Sequence, residues 1–142
     1  MNPSRLRSAA DLRGSYRGRM DYRIELVPLA VHDVDRAVDF YGSTLGWSVD
    51  HDQTVSPELR FVQVTPPGSA CSVCFGIGLD MMPEGSSQLL QVVVSDADEA
   101  LADLRGRGVD CEGVDEQPWG RFVRFADPDG NRWSVQQIVR PS

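Results

Sequence analysis

The chain has 142 residues and a formal net charge of −7, which fits one domain at roughly 150 residues per domain. Its fourteen basic residues are all arginine and its two histidines are His32 and His51, so lysine Schiff-base chemistry, a P-loop lysine and a histidine-rich metal centre are excluded. The acidic balance argues against nucleic acid as a partner, and no apolar run approaches the roughly 20 residues of a membrane span.

Residues 1–20 hold five arginines against the single acid Asp11 and few large apolar residues, the composition of a flexible basic extension. Residues 22–31 are mostly apolar with β-branched members and predict a strand. Residues 33–45 carry Val34, Ala37, Val38, Tyr41 and Leu45 on one helical face, with Asp33 as N-cap and Gly46 as stop. Residues 47–52, 60–65 and 71–77 predict three more strands, with Pro66-Pro67-Gly68 as a turn. Residues 89–94 then predict a strand and 96–107 a helix, in which Asp96 and Glu99 form a capping box. Residues 109–115, 121–125 and 132–138 predict the last three strands, with Asp129-Gly130 as the tight hairpin signal. The domain therefore spans 21–142, with module one at 21–80, a linker at 81–88 and module two at 89–139.

The two halves repeat each other residue by residue. Val31-x-Asp33-x-Asp35 matches Val94-x-Asp96-x-Asp98, Arg60-Phe61-Val62 matches Arg121-Phe122-Val123, and Ser72-Val73 matches Ser134-Val135. The fold expected is α+β: two tandem β-α-β-β-β modules whose curved mixed sheets form a cup. Cys71, Cys74 and Cys111 are an odd number with no charged-then-apolar secretory start, as in reduced thiols of a cytoplasmic protein. Cys71 and Cys74 form a C-x-x-C inside an apolar run, where a strand sends positions three apart to opposite faces.

The stretch Leu29-Ala-Val-His-Asp-Val-Asp-Arg-Ala-Val-Asp-Phe-Tyr41 with Leu45-Gly46, and the stretch Phe125-Ala-Asp-Pro-Asp-Gly-Asn-Arg-Trp133, resemble the vicinal oxygen chelate superfamily, the glyoxalase, bleomycin-resistance and extradiol-dioxygenase group. The resemblance covers about residues 22–139. It implies a small-molecule cavity and a homodimer, and in metal-dependent members it implies four ligands from the first and last strands of the modules. Here those positions fall on Leu26, Ser72, Leu89 and Ser134. Leucine cannot ligate, and neutral hydroxyls are poor ligands for transition metals. No metal and no cofactor is therefore expected.

If Asp129-Gly130 is a two-residue loop, residue 125 faces residue 134, and strand alternation gives the cup lining. That lining is Leu26, Pro28, Arg60, Val62, Ser72, Cys74, Leu89, Gln91, Arg121, Val123, Ser134 and Gln136, with Trp119 at the mouth. It is apolar with few polar anchors, as in a small-molecule pocket. Arg60 and Arg121 either hold a ligand anion or pair with surface acids at the strand ends. The inward set holds no Asp, Glu or His, so a metal-independent binder of a partly apolar small molecule is the leading expectation. A glyoxalase-type lyase, isomerase or dioxygenase with an altered site, and an interaction module with a vestigial cup, stand as alternatives.

Overall fold

The computed structural model describes residues 20–139; residues 1–19, which carry most of the expected flexible extension, lie outside the described residues. Module one comprises β1 (Leu26–Pro28), α1 (Val34–Val38) running into a π-helical turn (Asp39–Thr44), β2 (Ser48–Ser56), β3 (Leu59–Thr65) and β4 (Ser72–Ile77). Module two comprises β5 (Leu89–Val93), α2 (Ala97–Gly106), β6 (Asp115–Gln117), β7 (Gly120–Ala126) and β8 (Arg132–Ile138). The sheets have matching orders, β1-β4-β3-β2 and β5-β8-β7-β6. In each, the first strand pairs in parallel with the last and the other pairs are antiparallel. This is the two-module fold expected from the repeat.

Both helix starts follow the capping chemistry of the sequence. Asp33 accepts from the Arg36 N–H, and Asp96 accepts from the N–H groups of Asp98 and Glu99, satisfying donors that a first turn leaves open. The first helix is not α-helical throughout: Leu45 donates to the Phe40 carbonyl at 2.9 Å, five residues back. The wider turn turns the adjacent rings of Phe40 and Tyr41 to the core, where they meet edge to face at 5.2 Å.

Two strands are shorter than or displaced from expectation. β1 covers only Leu26–Pro28: Leu29 makes one more bond, to the Cys74 carbonyl, and Ala30 and His32 then bond to the loop between β7 and β8 instead, while Tyr22 and Ile24 lie exposed before the strand. β6 begins only at Asp115, because Val109 and Cys111 are buried in the core and the Cys111 carbonyl accepts from Arg105 of α2 at 3.0 Å. That segment is tied to the helix rather than to the sheet.

One core joins the modules. It takes Val62, Val64, Val73 and Phe75 from sheet one, and Val123, Phe125, Trp133 and Val135 from sheet two. Tyr41 sits between them, its ring 5.8 Å from Phe75 and 6.0 Å from Trp133. The helix-side faces of both sheets are thus spent on a common interior, and the other face of each sheet turns outward.

Candidate functional site

The open faces follow from the strand register. In sheet two Arg124 pairs with Ser134 and Phe122 with Gln136, while Phe125 pairs with Trp133. The hairpin loop is not a two-residue turn: it spans residues 127–131, wound about Asp127, whose carboxylate accepts from the N–H groups of Asp129 and Asn131. That moves the register by one residue, which sends a whole strand to its other face. The same shift holds in sheet one, where Gln63 pairs with Cys74 and Val64 with Val73.

β4 and β8 keep Ser72, Cys74, Ser134 and Gln136 on the open faces. Leu26, Pro28, Leu89 and Gln91 share those faces through their pairing with Ser72, Cys74, Arg132 and Ser134. Val62 and Val123, expected in the cup, are fully buried in the core instead. Arg60 and Arg121 also lie on the helix side. Arg60 binds Asp52 at 2.9 Å and Asp35 of the first helical turn at 2.7 Å. Arg121 binds Asp98 of the second at 3.0 Å and Glu116 at 2.8 Å. These equivalent clamps hold each helix to its own sheet, and the hydrogen bonds hold the Asp52 and Asp98 carboxyls below the usual carboxylate range.

In place of these residues the open faces receive Phe61, Gln63, Thr65, Phe122, Arg124 and Ala126. Three ionisable groups join them. His51 pairs with Gln63 and Asp115 with Phe122. Asp50 accepts from Thr65 and from Ser48. The expected lack of Asp and His on these faces is thus overturned. Both carboxylates are already engaged, however: Asp115 takes Arg124 at 2.8 Å and Gln117 at 3.1 Å, which holds its carboxyl low. Arg124 also stands 5.0 Å over the Phe122 ring.

The polar middle of the sheet-two face is bridged by side chains. Gln91 donates to Gln136 at 2.8 Å, and Gln136 donates to the Trp119 carbonyl at 3.4 Å. Gly120 lies beneath them, where a Cβ would stand 2.5 Å from the Gln136 Nε2 and push that amide aside. Trp119 is 62% exposed beside this strip. On sheet one Ser72 and Thr65 share a 2.6 Å hydroxyl contact, and Cys74 is buried, which pushes its thiol up. Cys71, Cys74 and Cys111 are thiols, not disulfides.

The two first strands are out of step. Leu29 donates to the Cys74 carbonyl at 2.8 Å, four residues before Asp33, whereas Val94 donates to Gln136 at 2.9 Å, two residues before Asp96. The extra length docks on module two: Ala30 accepts from Asn131 at 3.1 Å, and the His32 N–H donates to Asp129 at 2.8 Å. The counterpart of the Leu26–Ser72 pair is consequently Gln91–Ser134, not Leu89–Ser134. A leucine, an amide and two hydroxyls do not fit a divalent transition-metal ion. Among the described residues no three of His, Cys, Asp and Glu group closely enough to hold one.

Residues 23–135 match the family model of the Glyoxalase/Bleomycin resistance protein/Dioxygenase superfamily, and the chain belongs to that family. Among solved structures it is similar to TnmS3, an antibiotic binding protein from Streptomyces sp. CB03234, at 34% identity with a TM-score of 0.74, over 85% of this chain and 99% of that one. A superfamily member from Sphaerobacter thermophilus DSM 20745 is 31% identical with a TM-score of 0.70, over 84% of this chain and 99% of that one. Bacillus subtilis (strain 168) YetH is 28% identical over 81% of this chain and 98% of its own length. Among the described residues no helix is long and apolar enough to cross a membrane.

Proposed function

We propose that this protein binds a partly apolar small molecule, without a metal ion, against the open faces of its sheets. Two copies of the chain would complete each site, the sheet-one face of one closing over the sheet-two face of the other. The observation that carries this reading is the outward turn of both open faces. One core consumes the helix sides, while Leu89 (60% exposed), Val93 (62%) and Ile138 (47%) stand in solvent on sheet two beside the Gln91–Gln136–Trp119 strip. Apolar walls with few fixed polar groups are the make-up of a ligand site, and an exposed apolar sheet face marks an association surface.

Binding rather than turnover is supported by the state of the polar groups. Asp50 and Asp115 are both committed to neighbours on their own sheets, so neither of these two open-face carboxylates is free for proton transfer. The similarity to an antibiotic binding protein of Streptomyces points the same way. Titration of the intrinsic tryptophan fluorescence with a library of aromatic and amphipathic compounds tests the reading. Saturable quenching that weakens in Trp119→Phe is expected, and the absence of saturable quenching by every compound contradicts it.

A further inference from the structure

One end of the sheet-one open face is roofed. The linker turns back over Pro28, Cys74 and Gly76 and, with residues 29–32 and Asp129, lines a half-open cavity of about 570 Å3, within the range of small-molecule sites. The return of the chain needs left-handed backbone at Gly78 (φ 72°), Asp80 (φ 53°) and Gly85 (φ 76°), which glycine and aspartate tolerate best. The walls are apolar and soft, including Leu29, Ile77, Leu79, Met81 and Met82, and the Cys74 Sγ lies 3.9 Å from the Met81 Sδ.

The charge of this cavity is one-sided. Asp80, Glu84 and Asp129 line it, against His32 alone, and no arginine does. Asp129 is distinct among the acids. Its Oδ1 accepts the His32 N–H at 2.8 Å, but its Oδ2 is buried and receives no hydrogen bond. A buried carboxylate oxygen without a donor is costly and uncommon in a native fold. A protonated amine supplies both the donor and the positive charge once the Asp129 carboxyl turns its shielded oxygen toward the cavity, and polarisable thioethers suit the organic body beside it.

Building on the small-molecule reading above, we propose that the roofed cavity selects ligands that join an apolar body to a protonated amine, with Asp129 as the specificity-determining acceptor. Asp80 and Glu84 add negative field at the linker side. The test is calorimetric titration of the full chain with 9-aminoacridine, a cation at neutral pH, and with acridone, its neutral ring analogue. The cation is expected to bind about tenfold tighter or more, as one charge-assisted hydrogen bond allows. Asp129→Asn, which keeps an oxygen acceptor for the His32 N–H, is expected to abolish most of that advantage and leave acridone unchanged. A second variant, Asp80→Asn with Glu84→Gln, is expected to reduce the advantage and its salt dependence, and it decides the matter if Asp129→Asn does not fold. Equal affinity for the two dyes, or an advantage that survives the substitutions, overturns the cation preference and leaves the small-molecule reading standing. Failure of both dyes to bind overturns the two together.

Discussion

The Tyr41 hydroxyl donates to the buried carboxylate of Asp127 at 2.6 Å and accepts from the Trp133 indole N–H at 3.0 Å. This contact spans 86 residues and fastens the first helical segment of module one to the β7–β8 loop of module two. Burial and the adjacent Asp127 charge push the Tyr41 hydroxyl well above the ordinary tyrosine range, so it stays a donor at any physiological pH. Tyr41→Phe removes one donor from Asp127 and the acceptor of Trp133. It is expected to lower stability by roughly 1–3 kcal/mol, the cost of unsatisfied buried polar groups, as measured by denaturant unfolding. An unchanged midpoint would show that the loop is held without Tyr41.

The two arginine clamps predict an acid limit to stability. Asp52 and Asp98 are held low in the fold by Arg60 and Arg121 respectively. A carboxyl with a depressed folded value adds stability above its unfolded value, near 3.9 for aspartate, and loses it as pH falls through the folded one. Melting temperature should therefore fall as pH drops from about 5 toward 3, the window set by that unfolded value. Arg60→Gln should flatten part of that fall while leaving the neutral-pH melting temperature only slightly lower, since exposed pairs contribute little. An unaltered acid limb in the variant contradicts the clamp.

Thiol reactivity reads the burial of the cysteines. Burial raises the thiols of Cys74 and Cys111, and only thiolate attacks a disulfide reagent. Cys71, the least buried of the three, should react first with Ellman's reagent, and the other two much more slowly. A bound ligand should slow Cys74 further, because Cys74 lines the open face of sheet one, and leave Cys111 unchanged. Peptide mapping of the labelled protein checks the order.

The exposed apolar residues of sheet two predict association. Val93→Asp places a charge on that face without touching the core, where its neighbours Val92 and Val94 pack. The expected result is a monomer by analytical ultracentrifugation where the parent chain dimerises, together with at least a tenfold weaker ligand affinity (about 1.4 kcal/mol). A monomeric parent chain, or a variant that dimerises as well as the parent, contradicts the shared site.

Much of this architecture is legible in the residues. The Asp33 and Asp96 caps, the repeat and the C-terminal turn locate both modules, and Leu26 and Ser72, two of the ligand positions implied by the resemblance, do stand paired. The cup lining is half legible. β4 and β8 present the expected Ser72, Cys74, Ser134 and Gln136, but β3 and β7 are inverted because Asp127 winds the loop beyond a two-residue turn. Since strand side chains alternate with period two, one residue of loop length exchanges Arg121 and Val123 for Phe122 and Arg124. Arg121 could have been placed from charge alone, as Asp98 and Glu116 lie within reach on helix and strand. The offset of β1 against β5 has no local signal, because it is set by the docking of Ala30 and His32 on a turn about 100 residues away.

Amide NMR of the 15N-labelled chain, titrated with 9-aminoacridine, tests the location of the binding site most directly. Binding against the open sheet faces predicts saturable shifts at Ser72, Cys74, Gln91, Ser134 and Gln136 and at Asp129 by the linker, with the helix-side residues Ala100 and Asp103 unmoved. Shifts confined to the helices, or no saturable shift on either sheet, would contradict it.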